Sequence, residues 1–247
     1  MKADPLNLIW MMPAEGKLLY FLTFISLAEE IFLFPRRRMM NQNRIQIRNV
    51  VIVSTLLAIA IALDIVTGMI PGLNLSMPLG GRLFNISLLP IILIGVFLGP
   101  IYGIVGAVTY GLFGFFYDGY GLSYFATNLG EAALVFFLDY VVAFGALGLS
   151  GFFKKTLDTQ LYFAITTIVV LTIRWISSTI VGAILWAAYA SGNEWTQNLM
   201  DGVNNNAFIY SGIYNIIYTL TTALSLIIIG SLTLTQFRNL KLQMQLN

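Results

Sequence analysis

The chain has 247 residues, of which 58% are hydrophobic and 10% charged, with a mean hydropathy of +0.82. An ordinary soluble domain carries about 25% charged residues, so water is not the main solvent here. Neither Cys nor His occurs, which excludes a disulfide framework, a thiolate nucleophile and a Cys-based metal site, and removes the commonest general base and transition-metal ligand. The net charge of +2 is too small to indicate a nucleic-acid partner. There is no GxxxxGK[ST] loop, and Gly16-Lys17 lacks the rest of that pattern. Energy for any transport would therefore come from an ion gradient or a partner.

In chain order, residues 18–34 are hydrophobic but contain Glu29-Glu30 and end in Pro35-Arg36-Arg37-Arg38. A seventh membrane span, an interfacial helix and a signal-like segment are the three readings, and none fits well. There is no small-residue cleavage site, and two adjacent carboxylates in a lipid-facing helix cost roughly 2.5–3.5 kcal/mol each. Beyond residue 48, a hydrocarbon core about 30 Å thick calls for roughly 20 apolar residues per helix. Six stretches answer to it, near 50–66, 86–99, 101–117, 124–149, 162–190 and 207–235. Gly99-Pro100 divides the second from the third as a tight antiparallel hairpin. With the first span starting inside, the cytoplasmic segments hold Arg36, Arg37, Arg38, Arg44, Arg48, Lys154, Lys155, Arg238 and Lys241, while the opposite loops hold only Arg82. The expectation is an all-α integral membrane protein of six transmembrane helices in a bilayer, both termini cytoplasmic. Its longer outside loops (67–85, 118–123, 191–206) lie where a substrate would enter.

Candidate chemistry lies inside the spans. In the first, Ala58 and Ala62 form a small-xxx-small pair, a close-packing face for another membrane protein. In the fourth, Glu131 and Asp139 are eight residues apart, about two turns, and are expected on nearly one face. A carboxylate at membrane depth serves either as counter-ion to a cationic substrate or as partner to Arg174 in the fifth span. In that fifth span Ser178, Gly182 and Trp186 repeat every four residues. They form either a slot for a flat ring, with Trp186 stacking on it or on a cation, or a packing glycine beside an interfacial aromatic. In the sixth, Tyr210 and Asn215 lie near the outer end, followed by Tyr214 and Tyr218. Asn215 offers donor and acceptor to an aminopyrimidine edge, or simply bonds between helices.

Leu138-Asp139-Tyr140 with Ala143-Phe144-Gly145-Ala146-Leu147-Gly148-Leu149 resembles a motif of the thiamine-specific substrate-binding subunits of energy-coupling factor transporters. Arg174 through Trp186 to Tyr189-Ala190, then Tyr210-Ser211 to Asn215, match in order that family's last two helices. Met77-Pro78-Leu79-Gly80-Gly81 and Leu89-Pro90 resemble its first outside loop and second helix, so the likeness covers about 48–238. The resemblance implies Asp139 as counter-ion of the thiazolium, with Tyr140, Gly182, Trp186, Tyr210 and Asn215 lining the pocket. It implies that Ala58 and Ala62 contact a transmembrane coupling subunit, itself served by two ATPase subunits, in a bacterial cytoplasmic membrane. No cofactor, catalytic residue or metal is implied. Ser178 stands where the family usually has His, which alters the direct pyrimidine contact, and Asn85 aligns loosely with an acidic or polar loop position.

Residues 7–17, Asn-Leu-Ile-Trp-Met-Met-Pro-Ala-Glu-Gly-Lys, resemble an in-frame translation of the conserved 3′ part of the thiamine pyrophosphate riboswitch, departing from it only at Met11. Arg36-Arg37-Arg38 before Met39-Met40 is what a purine-rich ribosome-binding site would encode. The expectation is that 1–38 is translated leader from a wrongly placed start, the alternative being a genuine N-terminal helix, and that 39–247 form the six-helix substrate-binding domain. The rival functions are the same scaffold with hydroxymethylpyrimidine or riboflavin, and a stand-alone ion-coupled carrier. An intramembrane enzyme using Glu131 and Asp139 has no His, Cys or metal cluster to work with.

Overall fold

The computed structural model describes residues 40–70, 75–125 and 128–246; the expectation for 1–38 falls outside them. The chain divides into two units, Met1–Ile47 and Arg48–Asn247. Of the first, residues 40–47 are described and are helical. All packing and site geometry below concerns the second.

Among the described residues the chain is all-helical, apart from one isolated bridge between Ser76 and Arg82. The elements are α1 (Met40–Met69), α2 (Leu88–Leu98), α3 (Pro100–Phe125), α4 (Leu129–Val135), α5 (Ala143–Gly148), α6 (Gln160–Ile184), α7 (Glu194–Gly202), α8 (Ala207–Leu232) and α9 (Leu234–Leu246). A π-helical segment, Phe136–Val142, joins α4 to α5 in one continuous rod that ends in a 3₁₀ turn, Leu149–Phe152. A second 3₁₀ turn, Trp186–Gly192, follows α6.

Four stretches are long and apolar enough to cross a membrane: Gln46–Met69, Leu129–Phe152, Gln160–Ile184 and Ala207–Leu232. The apolar parts of α2 and α3, Leu88–Leu98 and Pro100–Phe116, are shorter. At 1.5 Å per residue, an 11-residue helix spans about half the hydrocarbon core. Every residue of α2 from Leu88 to Phe97 is buried, so its uniformly apolar surface meets protein on all sides. The break at Gly99-Pro100 falls where the sequence placed it. Gly99 has φ of 91°, a conformation open to glycine, and its N–H caps the Gly95 carbonyl. The chain then folds back so that Gly103 lies against Gly95, while Gly148 of α5 meets the Gly103 backbone.

The starts of α4, α6, α7 and α8 are each set by a short polar side chain. Asn128 Oδ1 accepts from the Glu131 N–H (3.0 Å), Thr159 Oγ1 from the Tyr162 N–H (3.2 Å), and Asn193 Oδ1 from the Trp195 N–H (3.0 Å). Asn206 Oδ1 accepts from the Phe208 and Ile209 N–H groups, each at 3.1 Å. Two elements lie outside the six apolar stretches. The amphipathic α7 occupies what the sequence presents as an outside loop, and α9 continues from α8 with Lys241 Nζ donating to the Val96 carbonyl at 2.7 Å. Both escape a search for long apolar runs because they are polar on one face.

The core runs through α2, α3, α5, α6 and α8, with Ile91, Ile94, Leu147, Phe163, Leu171 and Leu226 fully enclosed. α1 is the outer helix: 11% of its most apolar window is buried, against 33–39% in the other three long spans. Ala60 faces inward, whereas Ala58 and Ala62 are exposed among the described residues.

Candidate functional site

A cavity of about 520 Å³, within the usual range for small-molecule pockets, lies among α1, the 75–87 loop, α3, the α4–α5 rod, α6 and α8. Asn85, Asp139, Tyr140, Ser178, Gly182 and Trp186 line it. Tyr210 and Asn215 complete the wall from α8. The candidate pocket residues drawn from four separate stretches of sequence therefore meet around one space.

Asp139 sits in the π-helical segment and is half-buried, with the hydroxyl of Ser178 and the indole of Trp186 within hydrogen-bonding reach of its carboxyl group. The residues that accompany it are aromatic. The Tyr140 ring lies edge-on to Phe115 (centroids 5.1 Å apart) and stacked with Phe144 at 6.3 Å. Glu131 does not line the cavity. The expectation that it shares a face with Asp139 assumes uniform α-helix, and the switch to π-helix at Phe136 changes the register between them. Glu131 instead occupies the first turn of α4, where the helix dipole favours a carboxylate.

On α6, Ser178 and Gly182 are one turn apart and both reach the cavity. The α-helix ends at Ile184, so Trp186 enters from the following 3₁₀ turn rather than as the third member of a helical row. Gly182 serves packing as well: a Cβ there would collide with Ser211 Oγ of α8 and crowd Asn215 Nδ2. Asn215 is committed internally at both ends of its amide. Its Nδ2 donates to the Ser211 carbonyl (2.8 Å), to Ser211 Oγ (3.0 Å) and weakly to the Ser178 carbonyl of α6 (3.4 Å). Its Oδ1 accepts from the Tyr218 hydroxyl at 2.5 Å. The Tyr210 side chain is buried against Tyr214, with ring centroids 5.9 Å apart.

The 75–87 loop caps this space. Tyr214 Oη accepts from the Leu79 N–H (3.1 Å) and donates to the Gly80 carbonyl (2.7 Å). Gly80 and Gly81 have φ of 101° and 86°, and the Gly81 backbone lies so close to the Tyr218 ring that a Cβ would overlap it. The Asn85 N–H donates to Thr222 Oγ1 at 3.2 Å, fixing the far end of the loop to α8.

A second polar group lines the cavity at α1. Asp64 pairs with Arg82, and Ser87 Oγ donates to Asp64 (3.2 Å) and contacts the Tyr110 hydroxyl (2.7 Å). Asp64 was legible by the criterion that picks out Asp139, a lone carboxylate inside an apolar span. Tyr110 carries no such signal, since an aromatic residue in an apolar helix reads as core. Arg174 lines the cavity too, but lies over the Phe144 ring (4.1 Å to the centroid) and forms no direct ion pair with Asp139. Its Nη1 is buried without a hydrogen-bond partner among the described residues. The Arg174–Asp139 interaction is thus one of field rather than contact. No group of three or more candidate metal ligands occurs among the described residues.

Comparison with known proteins places this architecture. A solved structure of ThiT from Listeria monocytogenes matches with a TM-score of 0.58 and 18% sequence identity, over 79% of this chain and 98% of that one. At that identity the likeness concerns the fold. No curated protein sequence matches. The family model described as thiamine transporter protein (Thia_YuaJ) matches residues 50–241. That span takes in every residue lining the cavity, and this chain belongs to the thiamine transporter protein family.

Proposed function

We propose that this chain is the membrane-embedded thiamine-binding subunit of an energy-coupling factor importer in a bacterial cytoplasmic membrane, with six spans and both termini cytoplasmic. The observation that carries the reading is Asp139: a carboxylate in an aromatic-walled cavity within an apolar span, aligned by Ser178 and Trp186. Thiamine joins a neutral aminopyrimidine ring through a methylene to a thiazolium ring that carries a permanent positive charge. A carboxylate beside an indole and a phenol ring matches that charge by ion pairing and cation–π attraction together.

In this reading Tyr140 and Trp186 flank the thiazolium, while Tyr210 and the Asn215–Ser211 network meet the aminopyrimidine edge. Because Asn215 is already bonded to Ser211 and Tyr218, it would orient these groups as much as contact the ligand. Ser178, in the place of the family's usual His, is turned toward Asp139 and so tunes the counter-ion. Asn85 closes the wall beneath the loop. Ala58 and Ala62, exposed on the sparsely packed α1, would meet the coupling subunit, with two ATPase subunits supplying the energy.

The test is paired. The purified chain is titrated with thiamine by Trp fluorescence, and thiamine uptake is then measured in vesicles with and without a coupling subunit and ATPases. Saturable quenching at micromolar ligand or below, with uptake only in the full assembly, is expected. Uptake by the chain alone under an ion gradient would favour the stand-alone carrier.

A further inference from the structure

The π-helical segment that carries Asp139 is held from outside the rod by one side chain of α6. Ser177 is buried, at 4% exposure, and its Oγ donates a 2.7 Å hydrogen bond to the Leu138 carbonyl. That carbonyl also accepts from the Ala143 N–H, the five-residue bond that defines the π register. Val135, Asp139, Tyr140 and Phe144 all reach the cavity, and the five-residue step from Asp139 to Phe144 is the one a π turn accommodates. Ser177 does not line the cavity itself.

We infer that Ser177 is a positioning residue for Asp139: its hydroxyl fixes the Leu138 carbonyl and thereby the π register that presents the carboxylate to the ligand. The two adjacent serines divide the task. Ser178 reaches the Asp139 carboxyl group, while Ser177, about 100° round the same helix, holds the backbone one residue before it. Without the Ser177 bond, the competing register is ordinary α-helix, which turns Asp139 relative to Phe144 and away from Ser178. The inference rests on the proposed role of Asp139 as counter-ion of thiamine.

The experiment compares S177A, S177T and D139N in the full chain, each titrated with thiamine and with hydroxymethylpyrimidine, its uncharged half. Unfolding in detergent is followed alongside. S177A is expected to weaken thiamine binding about tenfold while changing hydroxymethylpyrimidine binding by less than about twofold, the scale of one hydrogen bond. S177T, which keeps the hydroxyl, is expected to restore thiamine binding to within about threefold. Equal losses for both ligands, no loss at all, or no recovery in S177T would overturn it. If D139N loses the selectivity and S177A keeps it, only the positioning role falls. If D139N binds thiamine like the unsubstituted chain, the counter-ion reading falls and takes this inference with it.

Discussion

A carboxylate inside a membrane span persists only where something polar meets it, and Asp64, Glu131 and Asp139 show three different solutions. Asp64 has an arginine partner and a serine hydroxyl. Glu131 sits in the first turn of α4. Asp139 has two neutral donors and a more distant arginine, which leaves its negative charge available to a ligand. Gly182 has a double role, since it lines the cavity and lets α6 approach Ser211. A Gly182→Ala variant places a methyl group on Ser211 Oγ. It is expected to lose stability by about 1–3 kcal/mol and to weaken thiamine binding, checked by thermal unfolding and fluorescence titration of the same sample. The residues that were legible in sequence, Asp139, Ser178, Trp186, Tyr210 and Asn215, are polar or aromatic interruptions of apolar runs. Tyr110 was not, because its hydrogen-bond partner Ser87 lies 23 residues away on another part of the chain and leaves no local pattern.

The elements tell a similar story. Long apolar runs and the Gly99-Pro100 break marked α2 and α8 within a few residues, since lipid length and proline chemistry are local constraints. By contrast, α1 begins ten residues before and α3 ends eight residues after the apolar runs that signal them, because polar helix ends carry no apolar signal. The π-helix at Phe136–Val142 and the end of α6 at Ile184 were not marked, because packing rather than composition decides them. At the crossing of α2, α3 and α5, Gly95, Gly103 and Gly148 bring backbones into contact. Replacing Gly148 with Leu is expected to disrupt the hairpin, lowering the yield of folded protein in a membrane-extraction assay, with no specific change in ligand preference. The 75–87 loop is tied to α8 through Tyr214, and Tyr214→Phe removes both of its hydrogen bonds to Leu79 and Gly80. Thiamine dissociation from that variant is expected to be about three- to tenfold faster by stopped-flow fluorescence, on the scale of one to two hydrogen bonds.

At the scale of the whole molecule, α1 lines the cavity through Asp64 yet is the least buried of the four long apolar spans. In the proposed assembly the low burial of α1 has a use: a face with little intramolecular packing needs little rearrangement to dock. An Ala58→Leu, Ala62→Leu double variant should bind thiamine with unchanged affinity. Its uptake in vesicles carrying the coupling subunit and ATPases should fall at least tenfold, as bulky side chains prevent close helix approach. The absence of a phosphate loop left an ion gradient or a partner as the energy source, and the Ala58–Ala62 spacing already marked a candidate docking face, whose exposure on α1 supports the proposal.

The most direct measurement is calorimetric titration of the full chain and its D139N variant with thiamine and with hydroxymethylpyrimidine. If Asp139 pairs with the thiazolium, the unsubstituted chain prefers thiamine and D139N loses at least about tenfold in thiamine affinity while retaining its affinity for the neutral pyrimidine. Equal thiamine affinity in both proteins would contradict the charge-pairing site.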